Sequence, residues 1–306
     1  MAYSHHRQFP LPLRSVLLAS ATLALLVGCG GGDDDPAGRQ AKIVFEPQVN
    51  GKGFACGATY TGVGLGLPGA YQINDWRFYV HDVTLIRPDG GREGVALYQD
   101  DIWQYQNVAL LDPRKNCGSG ALPTNATVIG NVTNTTYTGI CFKVGLPFAL
   151  NHLDQATAPA PLNNAGMVLN ARDGRIFIRV DGVGDPANLD EPFDLHLSSA
   201  GCPGSDPSKP PTAACGYPNV AEFCLNDFNL DQDHIIMDIG KALAASNVVV
   251  NTPNTPPGCL SSNADPECIP VIPRLNLDFT YIPGPSMPLE QYNKVVPQVL
   301  FSVHKP

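Results

Sequence analysis

The sequence predicts an all-β fold, an antiparallel sandwich or partly closed barrel that is stapled by disulfides and carries one short helix. Three observations support this prediction. Glycine and proline number 30 and 29 among 306 residues, too many helix breakers for a long helical bundle. Short segments rich in aromatic and β-branched residues alternate with turn residues, as in sandwiches and barrels. Nine cysteines suggest a disulfide framework in an exported chain.

The composition also excludes several classes of protein. The chain has 19 basic and 28 acidic residues, a formal net charge of −9, and no basic stripe of the kind that binds nucleic acid. Its hydrophobic fraction of 43% is too high for a disordered chain. No internal repeat or convincing linker follows residue 41, so we expect a single globular domain.

The first forty residues are predicted to direct export. Residues 1–28 have the pattern of a lipoprotein signal peptide, with a mildly basic start and a short apolar run at Ser15–Val27. The run ends in Leu26-Val27-Gly28-Cys29, which resembles the bacterial lipobox, although an ordinary cleaved signal peptide is the alternative. Residues 29–40 are predicted to be a flexible tether, and residues 41–306 the folded domain. We therefore expect a bacterial cell-envelope protein, periplasm-facing or on the outer membrane, whose lipid chains on Cys29 anchor it to the membrane.

The strand predictions begin with a hairpin. Ile73–Ile86 has the aromatic and β-branched composition of a strand, a Pro-Asp-Gly-Gly turn follows, and Gly94–Gln99 returns. Further strands are predicted at Lys42–Glu46, Val108–Leu111, Tyr137–Val144, Arg175–Asp181, Phe193–Ser198, Ala221–Asn226 and Leu275–Ile282.

Two patterns refine these assignments. In Arg175–Asp181 the isoleucines and valine occupy one face while Arg175, Arg179 and Asp181 occupy the other, which predicts a half-buried antiparallel strand. One helix is predicted within Met237–Ser246, and a short turn at Leu289–Asn293. Glycosylation-type sequons that begin at Asn125, Asn131 and Asn134 predict a polar surface loop.

If Cys29 is lipidated, eight cysteines remain, and these allow 105 pairings. Spacing favours Cys202–Cys215 and Cys259–Cys268, because each pair would close a short loop rich in turn residues. Cys141 and Cys224 lie inside predicted strands, which favours a cross-strand bridge, and Cys56 and Cys117 are then left to pair with each other. A thiolate metal site is the rival interpretation, but the sequence has no CxxC pair.

The sequence has few features of an enzyme. It lacks GxSxG, HExxH and Walker motifs and has no GxGxxG between a strand and a helix, so we expect no catalytic activity. The histidines are more informative, because Cu(I) accepts imidazole and thioether ligands. His81, His152 and His196, with Met167, are the candidate ligands, whereas His234 is placed near a helix start and His304 in the tail. The alternative for each histidine is a hydrogen-bonded structural role.

Several segments, in order over about residues 42–275, resemble the MbnP-like family, also described as the four-Cys protein of the metallo-mystery pair. The matching segments are Phe54–Cys56, Trp76–Leu85, Trp103-Gln104, Val108–Asp112, Asn116-Cys117, Tyr137–Pro147, Asn151-His152, Pro161–Asn163, Met167, His196–Cys202, Cys215, Pro218-Asn219 and Asp265–Cys268.

The resemblance implies an exported β-rich protein of copper homeostasis, encoded beside a dihaem protein of the MauG-like peroxidase type. In such proteins copper binding depends on oxidation of the first tryptophan of a WxW motif to kynurenine. Here that motif is absent, because Leu169 and Ala171 stand where the tryptophans would be. The only tryptophans, Trp76 and Trp103, fall in other motifs.

Three functional hypotheses follow. The first is a lipoprotein that binds copper, as Cu(I), through His152 and His196, with His81 and Met167 as further candidates. The second is a divergent scaffold without metal that acts as a structural or partner-binding surface lipoprotein. The third is an enzyme or glycan-binding module that uses carboxylates and exposed tyrosines: Tyr60, Tyr71 and Tyr105. A dihaem partner would be expected to dock weakly, without oxidising a tryptophan.

Overall fold

The computed structural model describes residues 38–65, 69–117, 123–185 and 192–306. The predicted signal peptide, Cys29 and most of the predicted tether lie outside the described residues. The first strand begins at Gly38, so the last part of the predicted tether, residues 38–40, belongs to the sheet. No helix among the described residues is long and apolar enough to cross a membrane.

Strands dominate the described chain, and its helices are single turns. The strands are β1 (Gly38–Val49), β2 (Lys52–Gly53), β3 (Thr59–Thr61), β4 (Ala70–Ile86), β5 (Arg92–Gly94), β6 (Ala96–Leu97), β7 (Gln104–Tyr105), β8 (Val108–Leu111), β9 (Thr127–Thr133), β10 (Gly139–Val144), β11 (Val168–Asn170), β12 (Gly174–Val183), β13 (Asp194–Ser198), β14 (Ala221–Asn226), β15 (His234–Asp238), β16 (Gly258–Cys259), β17 (Phe279–Tyr281), β18 (Glu290–Tyr292) and β19 (Phe301–His304). The α-helices are α1 (Phe148–Asn151), α2 (Ile239–Ala242) and α3 (Cys268–Val271), and 3-10 turns occur at Ala165–Met167 and Ile272–Leu275.

Two sheets make up most of the fold. The smaller has the order β19-β15-β1-β9-β6, with β2 beside β1. The larger has the order β14-β10-β4-β12-β13-β16, and β4, its longest strand, also pairs with β3, β5 and β8. Most pairs are antiparallel, but β1 with β15 and β13 with β16 are parallel. The described strands form no closed barrel, so the sandwich is the form that the chain adopts.

Phenylalanines from both sheets join them face to face. The ring centroid of Phe301 in β19 lies 4.6 Å from that of Phe223 and 4.9 Å from that of Phe142, both in the larger sheet. Phe45 of β1 contacts Phe142 and Phe78 of the larger sheet at 5.4 and 5.9 Å. All five rings are almost fully buried, and their edge-to-face geometry is the one that aromatic pairs prefer. This cluster forms the centre of the sandwich core.

The disulfides join Cys56 with Cys117, Cys141 with Cys224, Cys202 with Cys215, and Cys259 with Cys268. All four pairs were predicted: two from short-loop spacing, Cys141–Cys224 from its place in two strands, and Cys56–Cys117 as the pair that remained. Cys141 and Cys224 are direct register partners on β10 and β14, with Cα atoms 4.1 Å apart. The four bridges therefore restrain the unfolded chain over both short and long loops.

The predicted fold class is confirmed, but several element predictions are wrong. The first two sequons overlap β9, whose Val128 and Val132 are buried, so a strand forms there, whereas the third sequon, from Asn134, does lie in an exposed bend. The alternating pattern of buried residues in β9 was hidden by the polar residues between them. Most of the predicted strand Leu275–Ile282 is not a strand, because Leu275 ends a 3-10 turn and only Phe279–Tyr281 forms the short β17. Helices form at α1 and α3 as well as at α2, which lies within the predicted range.

Strand β12 also differs from its prediction. Arg175 is only 1% exposed, so this end of the strand is buried on both faces. The return strand of the first hairpin is shorter than predicted, because β5 pairs with β4 while β6 crosses to β9 in the other sheet. Period-two alternation shows which residues share a face, but it does not show what covers the second face.

Phe301→Ala is expected to lower the free energy of unfolding by about 3–5 kcal/mol, because it removes the ring that contacts both sheets. The measurement is urea unfolding of the purified, disulfide-intact protein. Ser302→Ala on the exposed side of the same strand is the control and should change stability little. Equal stability of both variants would contradict this account of the core.

Candidate functional site

His152 lies at the end of α1 and lines a cleft of about 480 Å³. The cleft is bounded by residues from three segments: His152, Leu153, Asp154, Gln155, Val168, Leu169, Asn170, Ala171, Arg175, Ser208 and Pro210. Leu169 and Ala171, which stand where the resemblance to the family would place two tryptophans, therefore share a cleft with one of the predicted copper ligands. Leu169 is 43% exposed, so its apolar side chain forms part of the cleft surface.

Both ring nitrogens of His152 have partners. Nδ1 lies 3.3 Å from the carbonyl oxygen of Ala171, and Nε2 lies 3.2 Å from the side-chain nitrogen of Asn151. A carbonyl only accepts and an amide nitrogen only donates, so a neutral ring protonated on Nδ1 satisfies both contacts. Burial lowers the pKa of His152, which favours this neutral form. Nε2 also lies 3.8 Å from Sγ of Cys215, so the ring packs on the Cys202–Cys215 disulfide.

Arg175 fixes the backbone that forms the cleft. Its buried guanidinium donates to the carbonyl oxygens of Leu150, Asn151 and Leu153 around α1, and to that of Leu162. Its backbone N–H donates to Oδ1 of Asn151 at 2.8 Å. Burial lowers the pKa of Arg175, since charge is disfavoured away from water. The carbonyl oxygens satisfy the buried charge of Arg175, and Arg175 in turn holds the backbone around His152 in place.

His196 lies in a different environment, a network of ion pairs on β12, β13 and β4. Its Nε2 is 2.6 Å from Oδ1 of Asp181, which also pairs with Arg179. Burial by itself would raise the pKa of Asp181, but the bonds from His196 and Arg179 bring it below its usual value. Burial and the charge of Asp181 raise the pKa of neighbouring Asp194. A cation bound at His196 would therefore compete with Arg179 for the carboxylate of Asp181.

The other two predicted ligands are buried separately. His81 is 3% exposed on β4, and neither ring nitrogen has a hydrogen-bond partner; Oδ2 of Asp82 is 3.2 Å from Nδ1 without hydrogen-bond geometry. Burial lowers the pKa of His81, and the nearby Asp82 carboxylate partly opposes that effect. Met167 is fully buried in the hydrophobic core at the end of its 3-10 turn.

The structure brings metal-ligating atoms together at four places within the described chain. None of these groups contains two of the predicted histidines. The groups are His152 with Cys202 and Cys215, Asp181 with Asp194 and His196, Cys141 with Cys224 and Glu222, and Glu46 with His234 and His304. Two of the groups contain cysteines, and each of those cysteines is part of a disulfide.

The fourth group contains the histidines that the sequence analysis set aside. His234 begins β15, the strand that runs directly into α2, and His304 ends β19 rather than lying in a tail. Glu46 does lie on a predicted strand. The sequence alone could not show that β1, β15 and β19 pair with one another, because these strands are far apart along the chain. Each of the three side chains nevertheless lies on the outward face of its own strand.

The third functional hypothesis loses part of its basis. Tyr60 and Tyr71 are 4% and 0% exposed, so they are core residues, and Tyr105 is half-buried. Trp76 is also fully buried and packs on Phe54.

Comparison with known proteins now identifies the family. The family model described as MbnP matches residues 38–261, most of the described chain. The chain belongs to the MbnP family. Its structure is similar to that of MbnP from Methylosinus trichosporium, with a TM-score of 0.74 and 28% sequence identity over 88% of this chain and 99% of that one. No curated protein sequence matches the chain.

Arg175→Met is expected to destabilise the protein by more than about 3 kcal/mol, because four carbonyl oxygens lose their donor and those of Leu150, Asn151 and Leu162 are buried. Urea unfolding measures the loss. Arg172→Met is the matched control, since that guanidinium is more exposed and pairs mainly with neighbouring Asp173. Similar losses in the two variants would show that Arg175 does not support the loop.

Because burial lowers the pKa of His81, we expect the free energy of unfolding to depend on pH. Its pKa is lowered in the folded protein, so the unfolded chain binds more protons as pH falls below about 6.5. Stability should therefore decrease as pH falls through that value, and His81→Leu should remove part of the decrease. Unfolding free energies at pH 8 and pH 5.5 measure both slopes, and parallel slopes would rule out this contribution.

Proposed function

We propose that this MbnP-family chain is an exported lipoprotein, anchored through Cys29 in the cell envelope, that serves copper homeostasis by binding and passing on Cu(I) without catalytic turnover. The proposal combines the lipobox pattern with family membership. The observation that carries the copper part is the position of His152, a neutral imidazole that shares a cleft with Leu169 and Ala171.

The donor set of this cleft differs from the one that the family resemblance implies. Leu169 and Ala171 supply no side-chain donor atom, so the kynurenine-dependent form of the site does not fit this chain. His152 is the single imidazole among the residues that line the cleft, and no methionine lies among them. His196 is paired with Asp181 outside this lining.

A cleft with one imidazole is suited to brief occupancy. Cu(I) accepts low coordination numbers, and a second donor could come from the molecule that delivers or receives the ion. A copper ion at Nε2 would replace the hydrogen bond from Asn151, which costs part of the binding energy. We therefore infer exchange of copper rather than long-term storage.

A second candidate function is partner binding by a scaffold without metal. Apolar side chains around the cleft favour it: Leu169, Leu153 and Phe148 are 43%, 36% and 45% exposed, and Phe148 packs 4.7 Å from the His152 ring. Exposed apolar groups that lie together mark interaction surfaces. A MauG-like dihaem protein remains the proposed partner, and the burial of Trp76 favours docking without tryptophan oxidation.

The test is an anaerobic titration of the exported, mature protein with Cu(I) against a chromophoric chelator. We expect about one Cu(I) per chain with a dissociation constant on the order of micromolar. His152→Ala should abolish this binding, because it removes the only imidazole of the cleft.

Two control variants define the site. His196→Ala and His304→Gln each remove an imidazole outside the cleft and should leave the titration unchanged. Absence of competition in a folded, fully oxidised sample would instead favour the metal-free scaffold, and binding lost in His196→Ala alone would place copper at β13.

A further inference from the structure

Glu46, His234 and His304 meet on the outer face of the smaller sheet, and we propose that they form a binding site for a divalent transition-metal ion such as Zn²⁺. This inference does not depend on the copper proposal, because the cluster shares no residue with the His152 cleft.

Strand pairing brings the three side chains together. His234 and His304 are direct register partners on antiparallel β15 and β19. Glu46 lies on β1, which runs parallel to β15 with Glu46 opposite Ile236, so its side chain is on the same face as that of His234. The backbone of three neighbouring strands therefore fixes the cluster, which makes it more rigid than one built on loops.

The atoms already lie at near-ligand spacing. Nδ1 of His234 is 2.5 Å from Oε1 of Glu46, and Nδ1 of His304 is 2.7 Å from Oε2 of the same carboxylate. Ligand atoms of all three residues lie within 4.8 Å of one another. Zinc bonds of about 2.0–2.2 Å in tetrahedral geometry place ligand atoms roughly 3.3–3.6 Å apart, so small side-chain movements would suffice.

The donor chemistry is that of a three-ligand site with an open position. Two imidazoles and one glutamate are the protein ligands of several zinc enzymes, in which water completes the coordination. Glu46, His234 and His304 are 29%, 34% and 42% exposed, so a fourth ligand can reach the ion.

The surrounding charges permit a cation here. Lys305 follows His304 directly, but its ammonium is 2.7 Å from Asp233 and also contacts the carbonyl oxygen of Asp227. The imidazole contacts with Glu46 lower the pKa of that carboxyl although burial opposes them, so it is ionised at neutral pH.

Metal binding at Nδ1 would displace the protons that these nitrogens donate to Glu46. In a neutral ring the proton moves to Nε2, and in a charged ring one proton is released to solvent. The competing interpretation is a purely structural pair of His–Glu hydrogen bonds that gives cross-strand stability and binds no ion.

The test uses the exported, mature protein after removal of metals by a chelator. Zn²⁺ is titrated by isothermal calorimetry and by competition with a chromophoric chelator, with Mg²⁺ as the contrasting ion. We expect one equivalent of Zn²⁺ bound near this face and no competition from Mg²⁺, because imidazole ligands do not suit a hard cation.

The variants His304→Gln and Glu46→Gln should each weaken Zn²⁺ binding by about tenfold or more. The control His152→Ala removes an imidazole at the end of α1, outside the cluster, and should leave the affinity unchanged. Zn²⁺ should also raise the melting temperature of the wild-type protein more than that of His304→Gln, since only the folded state assembles the site.

Unchanged Zn²⁺ affinity in folded His304→Gln and Glu46→Gln would overturn the proposal, as would loss of binding in His152→Ala. Absence of Zn²⁺ binding to the wild-type protein would favour the purely structural role. Circular dichroism of each variant establishes that the fold is retained.

Discussion

The docking of the C-terminal strand β19 against β15 is the interaction on which much of this structure depends. Phe301 points inward and contacts phenylalanines from both sheets, while His304 points outward and faces His234. Side chains alternate across a strand, so one register determines both positions. A shift by one residue would expose the ring and bury the imidazole. The place of Phe301 in the sandwich core and that of His304 in the Glu46–His234–His304 cluster are therefore set by the same pairing.

A buried charge has the corresponding role in the larger sheet. Arg175 shapes the His152 cleft by holding the carbonyl oxygens of the surrounding backbone, without a carboxylate partner in those contacts. Leu169 and Ala171 line this cleft and add no side-chain donor atom to it. His152 is the sole imidazole among the residues that line it.

The two sheets consequently offer different chemistry to a metal. In the larger sheet His196 is occupied by Asp181, and His152, at the end of α1, is occupied by backbone and amide groups. In the smaller sheet two imidazoles share one carboxylate at a partly exposed face. Family membership fixes the scaffold, but the donors that the scaffold brings together determine which ion a site can bind.

The sequence by itself determined the class of fold, because turn residues and β-branched segments act locally. Strands such as β4 and β10 could be read from their own composition. The pairing of Cys141 with Cys224 could also be anticipated, since both lie in recognisable strands. The ordered set of matching sequence segments further indicated the MbnP family. Local patterns failed at β9, where polar residues masked the alternation, and at Arg175, whose side chain is covered by the α1 segment and Leu162.

Only the tertiary structure decided which side chains meet. Glu46 and His304 are separated by most of the chain, and no local pattern encodes the parallel pairing of β1 with β15 that brings them near each other. The same limit applies to His81, His152 and His196, whose residue types suggest one metal site but which the fold places in separate surroundings. Residue type and spacing determine what a side chain can do, whereas long-range strand pairing and burial determine what it can reach.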